Sequence, residues 1–314
     1  MSDTEFVTAF APATIGNLGV GFDMLGLAIA GIGDWVSARK SDAVGVRIIE
    51  VQELNGEVHP FLSKNADENT ASIAAQSLWS ATSNHGGLEL IVRKGIPLQS
   101  GMGSSAASAV AAVVAVNALL VEPLPKSELL VHALAGEKFA SGGLHADNVA
   151  PSLMGGLILC PQILLPDMIQ LAVPQGVSSV LVHPELQVNT AESRRGLARG
   201  YSMDQWLTQQ GYLAGFIAAC EHNDIELLSR CLRDELIEPQ RAASVPCFDE
   251  VKKAALKADA LGCSLSGSGP SIFALCRDNA APNLATAMEQ ACRKLGIECQ
   301  SWISPLSAPG ASVE

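Results

Sequence analysis

Residues 96–108 read IPLQSGMGSSAAS, placing a proline, two glycines and several serines directly before a long run of alanine and valine. Gly101 and Gly103 let the backbone turn sharply and approach a ligand closely. The amides of Gly103, Ser104, Ser105 and Ala106 fall where a helix begins. Unpaired N–H groups and the helix dipole then face any anion placed there. Serine hydroxyls add donors for phosphate oxygens, or a ligand for Mg²⁺. The plain alternative is a loop with serine N-caps on a buried helix. The loop holds no lysine, so this is not a P-loop. No G-x-S-x-G nucleophile elbow occurs in the chain either.

Two further glycine segments share this character. GNLGVGFDMLG (residues 16–26) carries Asn17 and Asp23 in a flexible loop, and LSGSGPSIF (265–273) sets Ser266, Gly267, Ser268 and Gly269 in a turn fixed by Pro270. Three such loops along one chain suggest parts of a single site. His145, Asp147 and Asn148 form the densest polar knot of an otherwise small, apolar segment. Alternation along an extended chain would put His145 and Asp147 on one side. Glu137, beside Lys138, reads on its own as a solvent-exposed helix glutamate. Arg194 and Arg241, read on their own, are surface arginines. Arg195 is adjacent, so a one-residue slip would exchange it with Arg194.

Taken together, PLQSGMGSSA (97–106), NLGVGFDMLGLAI (17–29) and LSGSGP (265–270) resemble the three signature motifs of the GHMP kinase superfamily. GLHADNVAPSLMGG (143–156), NTAESRRGL (189–197) and IEPQR (237–241) are similar to the branch that phosphorylates homoserine, so the resemblance covers nearly the whole chain. It implies an ATP- and Mg²⁺-dependent kinase making O-phospho-L-homoserine, the step before threonine synthase. The implied fold is α+β, with two GHMP kinase domains, the second ferredoxin-like, and the site between them.

The resemblance also implies roles for particular residues. Pro97, Leu98, Gln99, Ser100, Gly101, Met102, Gly103, Ser104, Ser105, Ala106 and Ala107 would bind ATP. Ser105 and Glu137 would hold Mg²⁺. Asn17 and Asp23 would take the amino end of the acceptor, and Arg194 and Arg241 its carboxylate, with Thr190 assisting. His145, Asn148 and Gly267 would complete the acceptor site. Asp147 matches the proposed base of mevalonate kinase and galactokinase, and it remains open between base, substrate ligand and structural turn. The chain departs from those relatives at Ala13, Thr14 and Ile15, where they carry a basic residue, and at Gln99, where the motif usually has a small residue. Asn65, in NADENT, is a candidate for the adenine side. Another GHMP kinase of the mevalonate type, and a non-catalytic metabolite-binding regulator, stand as the rival functions.

The elements that must position these residues follow from pattern. Strands are expected at EFVTAFAPATIG, DWVSARK, VGVRIIEV and LELIVRK, and helices from Thr70, from Ser104 to about Val121, and over KSELLVHALAGEKFAS, with Gly142 and Gly143 beyond its end. Further helices are expected over Met203–Cys220, Asp224–Ile237 and Phe248–Leu261. The expected domains are 1–162 and 163–314.

At 314 residues, 48% hydrophobic and 17% charged, the chain is neither disordered nor fibrous. A net charge of −12 without a Lys/Arg cluster excludes nucleic acid as the main partner. The eight cysteines stand singly, with no C-x-x-C pair, as buried hydrophobes of a reducing compartment would. MSDTEFVTAF lacks the form of a signal peptide. The apolar run Ala106–Val121 is short, alanine-rich and broken by Asn117. A soluble, cytoplasmic protein with small-molecule substrates and no membrane partner is expected, and the resemblance admits a homodimer.

Overall fold

The computed structural model describes residues 5–82, 86–141 and 143–314. Residues 1–4, which begin the segment read for a leader, and Gly142, read as a helix stop, lie outside them.

The N-terminal half runs β1 (Val7–Gly16), β2 (Leu25–Ser41), β3 (Gly45–Glu53), α1 (Thr70–Ala81), β4 (Gly87–Lys94), α2 (Ser104–Ala118), α3 (Lys126–Ser141) and α4 (Ala146–Met154). Next come β5 (Leu157–Leu159), β6 (Ile169–Gln170), β7 (Val177–Pro184), α5 (Thr190–Arg195), α6 (Met203–His222), α7 (Ile225–Cys231) and α8 (Glu238–Ala242). The chain ends with α9 (Phe248–Lys257), β8 (Gly262–Leu265), β9 (Ile272–Arg277), α10 (Ala281–Lys294), β10 (Cys299–Pro305) and β11 (Ser312–Val313).

The first sheet has the order β11-β1-β2-β4-β3, and β5 and β6 extend it from β2. α2 packs on β1 and β2 and against α1, α3 and α4. It is apolar on every side, as a helix buried all round must be. From Ser104 to Val116 every residue except Ser105 is buried. Its alanines let the neighbouring helices approach closely.

The second sheet is antiparallel, ordered β10-β7-β9-β8. With helices between β7 and β8 and α10 between β9 and β10, this is the ferredoxin-like βαββαβ arrangement. Strand alternation covers both of its faces. Val180, Val182, Ile272, Ala274 and Cys276 pack in one core with residues of α9 and α10. Leu181, Phe273 and Leu275 join the core of the first sheet instead. The α+β, two-sheet architecture is therefore as expected, but its units interleave. The division expected at 162/163 falls between β5 and β6, which pair with each other, and β11 returns to β1.

Three local expectations are corrected. DWVSARK is not a strand of its own but the second half of β2, because a bulge at Ala30–Ile32 keeps β2 on β1 on either side. The helix expected over Asp224–Ile237 stops at Cys231. There the Asp234 carboxylate accepts the N–H groups of Leu236, Ile237 and Glu238, each at 2.9 Å, and starts a new turn. His145 and Asp147 do not alternate along an extended chain: His145 is the N-cap of α4 and Asp147 lies in its first turn. Among the described residues no helix is long and apolar enough to cross a membrane.

Candidate active site

The serine-rich loop joins β4 to α2. Gly103 is the N-cap of α2, with φ 69°, ψ 32° and no side-chain cap. The alternative of a serine N-cap is thereby set aside. Glycine is required here, because the backbone is left-handed and a Cβ would lie 2.3 Å from Thr14 Oγ1. The first-turn amides have no intrahelical acceptor and open toward a cleft of about 360 Å³. Leu98, Gln99, Ser100, Gly101, Gly103, Ser104 and Ser105 line one side. Met102, Ala106 and Ala107 are fully buried in the core, so only their backbone can serve a ligand. Pro97 shapes the loop from outside the lining. Gln99 has φ 54°, in the left-handed region that favours glycine, which accounts for the small residue usual there.

Ser105 Oγ donates to Glu137 Oε2 at 2.8 Å across the cleft. Glu137 is only 7% exposed, so it is not the solvent-facing glutamate of the simpler reading. The far wall comes from NADENT: Asn65 caps a short turn at Ala66–Glu68, Asn69 caps α1, and Glu68, Asn69 and Thr70 line the cleft.

The three glycine segments meet at this loop. Thr14 N donates to the Met102 carbonyl (3.1 Å), Ser271 N to the Ser100 carbonyl (3.1 Å) and Gly267 N to the Gly16 carbonyl (3.0 Å). Ser266 Oγ donates to the Gly101 carbonyl at 2.6 Å, and Asn17 Nδ2 to the Gly267 carbonyl at 3.1 Å. Thr190 Oγ1 is 3.2 Å from Ser268 Oγ.

Beside the loop lies a charged cluster. Arg194 grips Asp23 bidentately, Nη1 to Oδ2 at 2.8 Å and Nη2 to Oδ1 at 2.6 Å. Arg195, its rival by one residue, faces solvent and sits 3.9 Å from Glu192. His145 Nδ1 stands 3.6 Å from Asp23 Oδ2. Arg241 is buried; its Nη1 donates to the Gly267 carbonyl at 2.8 Å and its Nε has no partner. The Phe22 ring lies under both guanidinium groups, at 5.3 Å from Arg194 and 5.1 Å from Arg241. Asn17, Leu18 and Asp23 all have positive φ, a concentration of backbone strain in one short loop.

Asp147 is 3% exposed, next to Asn148, whose Oδ1 accepts the Thr14 hydroxyl at 2.8 Å. Gly16 must lack a side chain here, since a Cβ would fall 2.7 Å from Asn148 Nδ2 and 2.8 Å from Asp147 Oδ2. Burial first, then the charges of Asp23 and Glu137, push the Asp147 carboxyl up to about 7, against the opposing pull of Arg194. Burial also holds His145 below its ordinary value, helped by Arg194 and Arg241 and opposed by Asp23. Burial and the nearby Arg194 lower Arg241, while the hydrogen bonds to Asp23 raise Arg194.

Residues 69–156 match the family model of the GHMP kinases N terminal domain and residues 216–294 that of the GHMP kinases C terminal. A homoserine kinase of Xanthomonas campestris pv. campestris is 43% identical over 96% of this chain and 92% of its own length. One from Chlorobium phaeobacteroides is 40% identical over 98% of this chain and 99% of its own. The crystal structure of homoserine kinase from Cytophaga hutchinsonii superposes with a TM-score of 0.94 at 40% identity, covering 100% of this chain and 99% of that one. The chain belongs to the homoserine kinase family.

Within this member of the homoserine kinase family, Thr14 occupies the first-motif region where the more distant GHMP relatives were expected to carry a basic residue. Its hydroxyl is tied to Asn148, so this region joins β1 to α4 without a charge. Sequence reasoning missed three residues. Phe22, whose only signal was its place beside Asp23, supports both arginines. Lys94 and Asp34 form a buried ion pair below the loop. The signal for Lys94 was its position three residues before Pro97, at the end of a strand.

Proposed function

We propose that the chain transfers the γ-phosphoryl group of ATP to the side-chain hydroxyl of L-homoserine, giving O-phospho-L-homoserine and ADP. One observation carries this reading: a buried Asp147 adjoins Asn148, which lines the cleft of the amide-rich loop, and feels the charges of Asp23, Glu137 and Arg194. The loop amides and the α2 N-terminus take the polyphosphate, replacing the charge of a P-loop lysine. The Leu62–Thr70 wall faces the nucleoside end.

An amino-acid acceptor can take over both halves of the Asp23–Arg194 ion pair. Its ammonium goes to Asp23, supported by Asn17, and its carboxylate to Arg194 and the spare donor of Arg241. A neutral His145 fits beside an ammonium better than a charged one. Thr190, Asn148 and Gly267 border the same space. Asp147 then receives the hydroxyl proton as the oxygen attacks, and a carboxyl poised near 7 suits that task.

Ser105 and Glu137 offer one hydroxyl and one carboxylate, hard oxygen donors of the kind Mg²⁺ prefers. Two protein oxygens would leave the remaining positions of such a site to other hard oxygen donors, phosphate oxygens and water among them. Bound there, Mg²⁺ neutralises phosphate charge.

Coupled ADP release over L-homoserine, mevalonate, galactose and shikimate tests the acceptor. Turnover on L-homoserine at least about 100-fold above the others is expected, since a zwitterion alone satisfies Asp23 and both arginines. Faster turnover of mevalonate would move the assignment to the rival kinase. ATP binding without turnover of any acceptor would indicate the regulator.

A further inference from the structure

The cation beneath the phosphate loop has no part in the roles above. Lys94 ends β4, and Asp34 of β2 opposes it one step past the Trp35–Arg93 pair. Asp34 is fully buried and Lys94 is 6% exposed. The Lys94 ammonium donates to Asp34 Oδ2, to the Ser104 carbonyl at 3.0 Å and to Ser108 Oγ at 2.7 Å. Those bonds occupy all three of its hydrogens. Ser108 Oγ in turn donates to Asp34 Oδ2 at 2.7 Å. The other oxygen, Asp34 Oδ1, accepts the N–H groups of Gly95 at 3.0 Å and Ile96 at 3.1 Å.

Gly95 and Ile96 lead into the loop, whereas Ser104 and Ser108 stand beyond it on α2. The ion pair therefore ties the entrance of the loop to its exit through three backbone groups. Ser104 Oγ adds a parallel tie to the Ile96 carbonyl at 3.2 Å. A buried ion pair is a poor way to gain stability, since apolar residues of similar volume often do as well. What apolar residues cannot supply is directional bonding to the backbone. Lys94 lines the cleft, but its donors are committed, so it acts through the loop rather than on a ligand.

We propose that Lys94 and Asp34, linked by Ser108, are positioning residues that hold the amides of the loop and of the first turn of α2 at the spacing an ATP polyphosphate needs. This rests on the reading that the loop binds phosphate. The effect must then scale with the phosphate chain and spare the nucleoside.

Calorimetric titration of ATP and of adenosine, against wild type, K94M/D34N and S108A, separates these contributions. The double variant leaves no charge of the Lys94–Asp34 pair behind and keeps an acceptor for Gly95 and Ile96. Its affinity ratio for ATP over adenosine is expected to fall roughly tenfold or more. Adenosine affinity and the KM for L-homoserine should stay within about threefold, where a general loss of structure would move all three together. S108A should lower the ratio by about threefold. A double variant with a cooperative melt and the wild-type ratio overturns the proposal; should that variant not fold, an unchanged ratio in S108A overturns it. A wild-type protein that binds ATP no better than adenosine would remove the phosphate reading itself, and the clamp with it.

Discussion

Asp147→Asn lowers kcat by about 10²–10⁴-fold, while the KM values for ATP and L-homoserine stay within about threefold. The substitution keeps shape but removes the ability to take up a proton, together with the carboxylate charge. The pH profile supplies a second signature. With a carboxyl pushed up to about 7 in the free protein, wild-type kcat/KM for L-homoserine rises as pH is raised through neutrality, because the carboxylate accepts the proton. The variant loses that limb.

Stability moves in the opposite direction. A carboxyl whose folded pKa lies above its unfolded value favours the folded state below about 4. That contribution is lost as pH rises toward 7. Asp147→Asn is therefore more stable than wild type at pH 8, by on the order of 2–4 kcal/mol, and the difference closes near pH 4. Urea denaturation at the two pH values measures it. An undiminished kcat with a raised KM for L-homoserine would leave Asp147 as a substrate ligand only.

Arg241→Leu raises the KM for L-homoserine on the order of 100-fold and that for ATP less than about threefold. A charge-assisted hydrogen bond in a desolvated site is worth up to about 3 kcal/mol, which converts to a factor of that size. Arg241→Lys should recover little, since an ammonium cannot reproduce the planar fork. The partnerless Nε suggests that the free enzyme holds this side chain ready rather than using it structurally. Equal increases in both KM values, measured by steady-state kinetics, would show that the carboxylate contact lies elsewhere.

The geometry of the glycine–serine loop was legible because it is local. Glycine turns, serine hydroxyls and the alanine run of α2 follow one another in about twenty residues, and each acts through backbone geometry. The ferredoxin-like half was legible only through resemblance, since its strand order depends on contacts distant in sequence. His145 and Asp147 were misplaced because two residues cannot distinguish a strand from a helix start. Pro151 inside α4 further disguises the helix. Arg194 is preferred over Arg195 on resemblance alone; the fold turns the first toward Asp23 and the second to solvent. Lys94 and Asp34 stood 60 residues apart, and only the register of β2 on β4 joins them. Domain limits were the least legible feature, because β11 returns to β1 from the far end of the chain.

The central claim is that phosphorus passes from ATP to the hydroxyl of L-homoserine in the cleft between the loop and Asp147. Phosphorus-31 NMR of the purified protein with ATP, Mg²⁺ and L-homoserine follows that atom directly. The expected result is one new phosphomonoester resonance, coupled to the side-chain methylene of homoserine and growing in step with ADP. ADP formed together with inorganic phosphate, at a rate indifferent to L-homoserine, would contradict it.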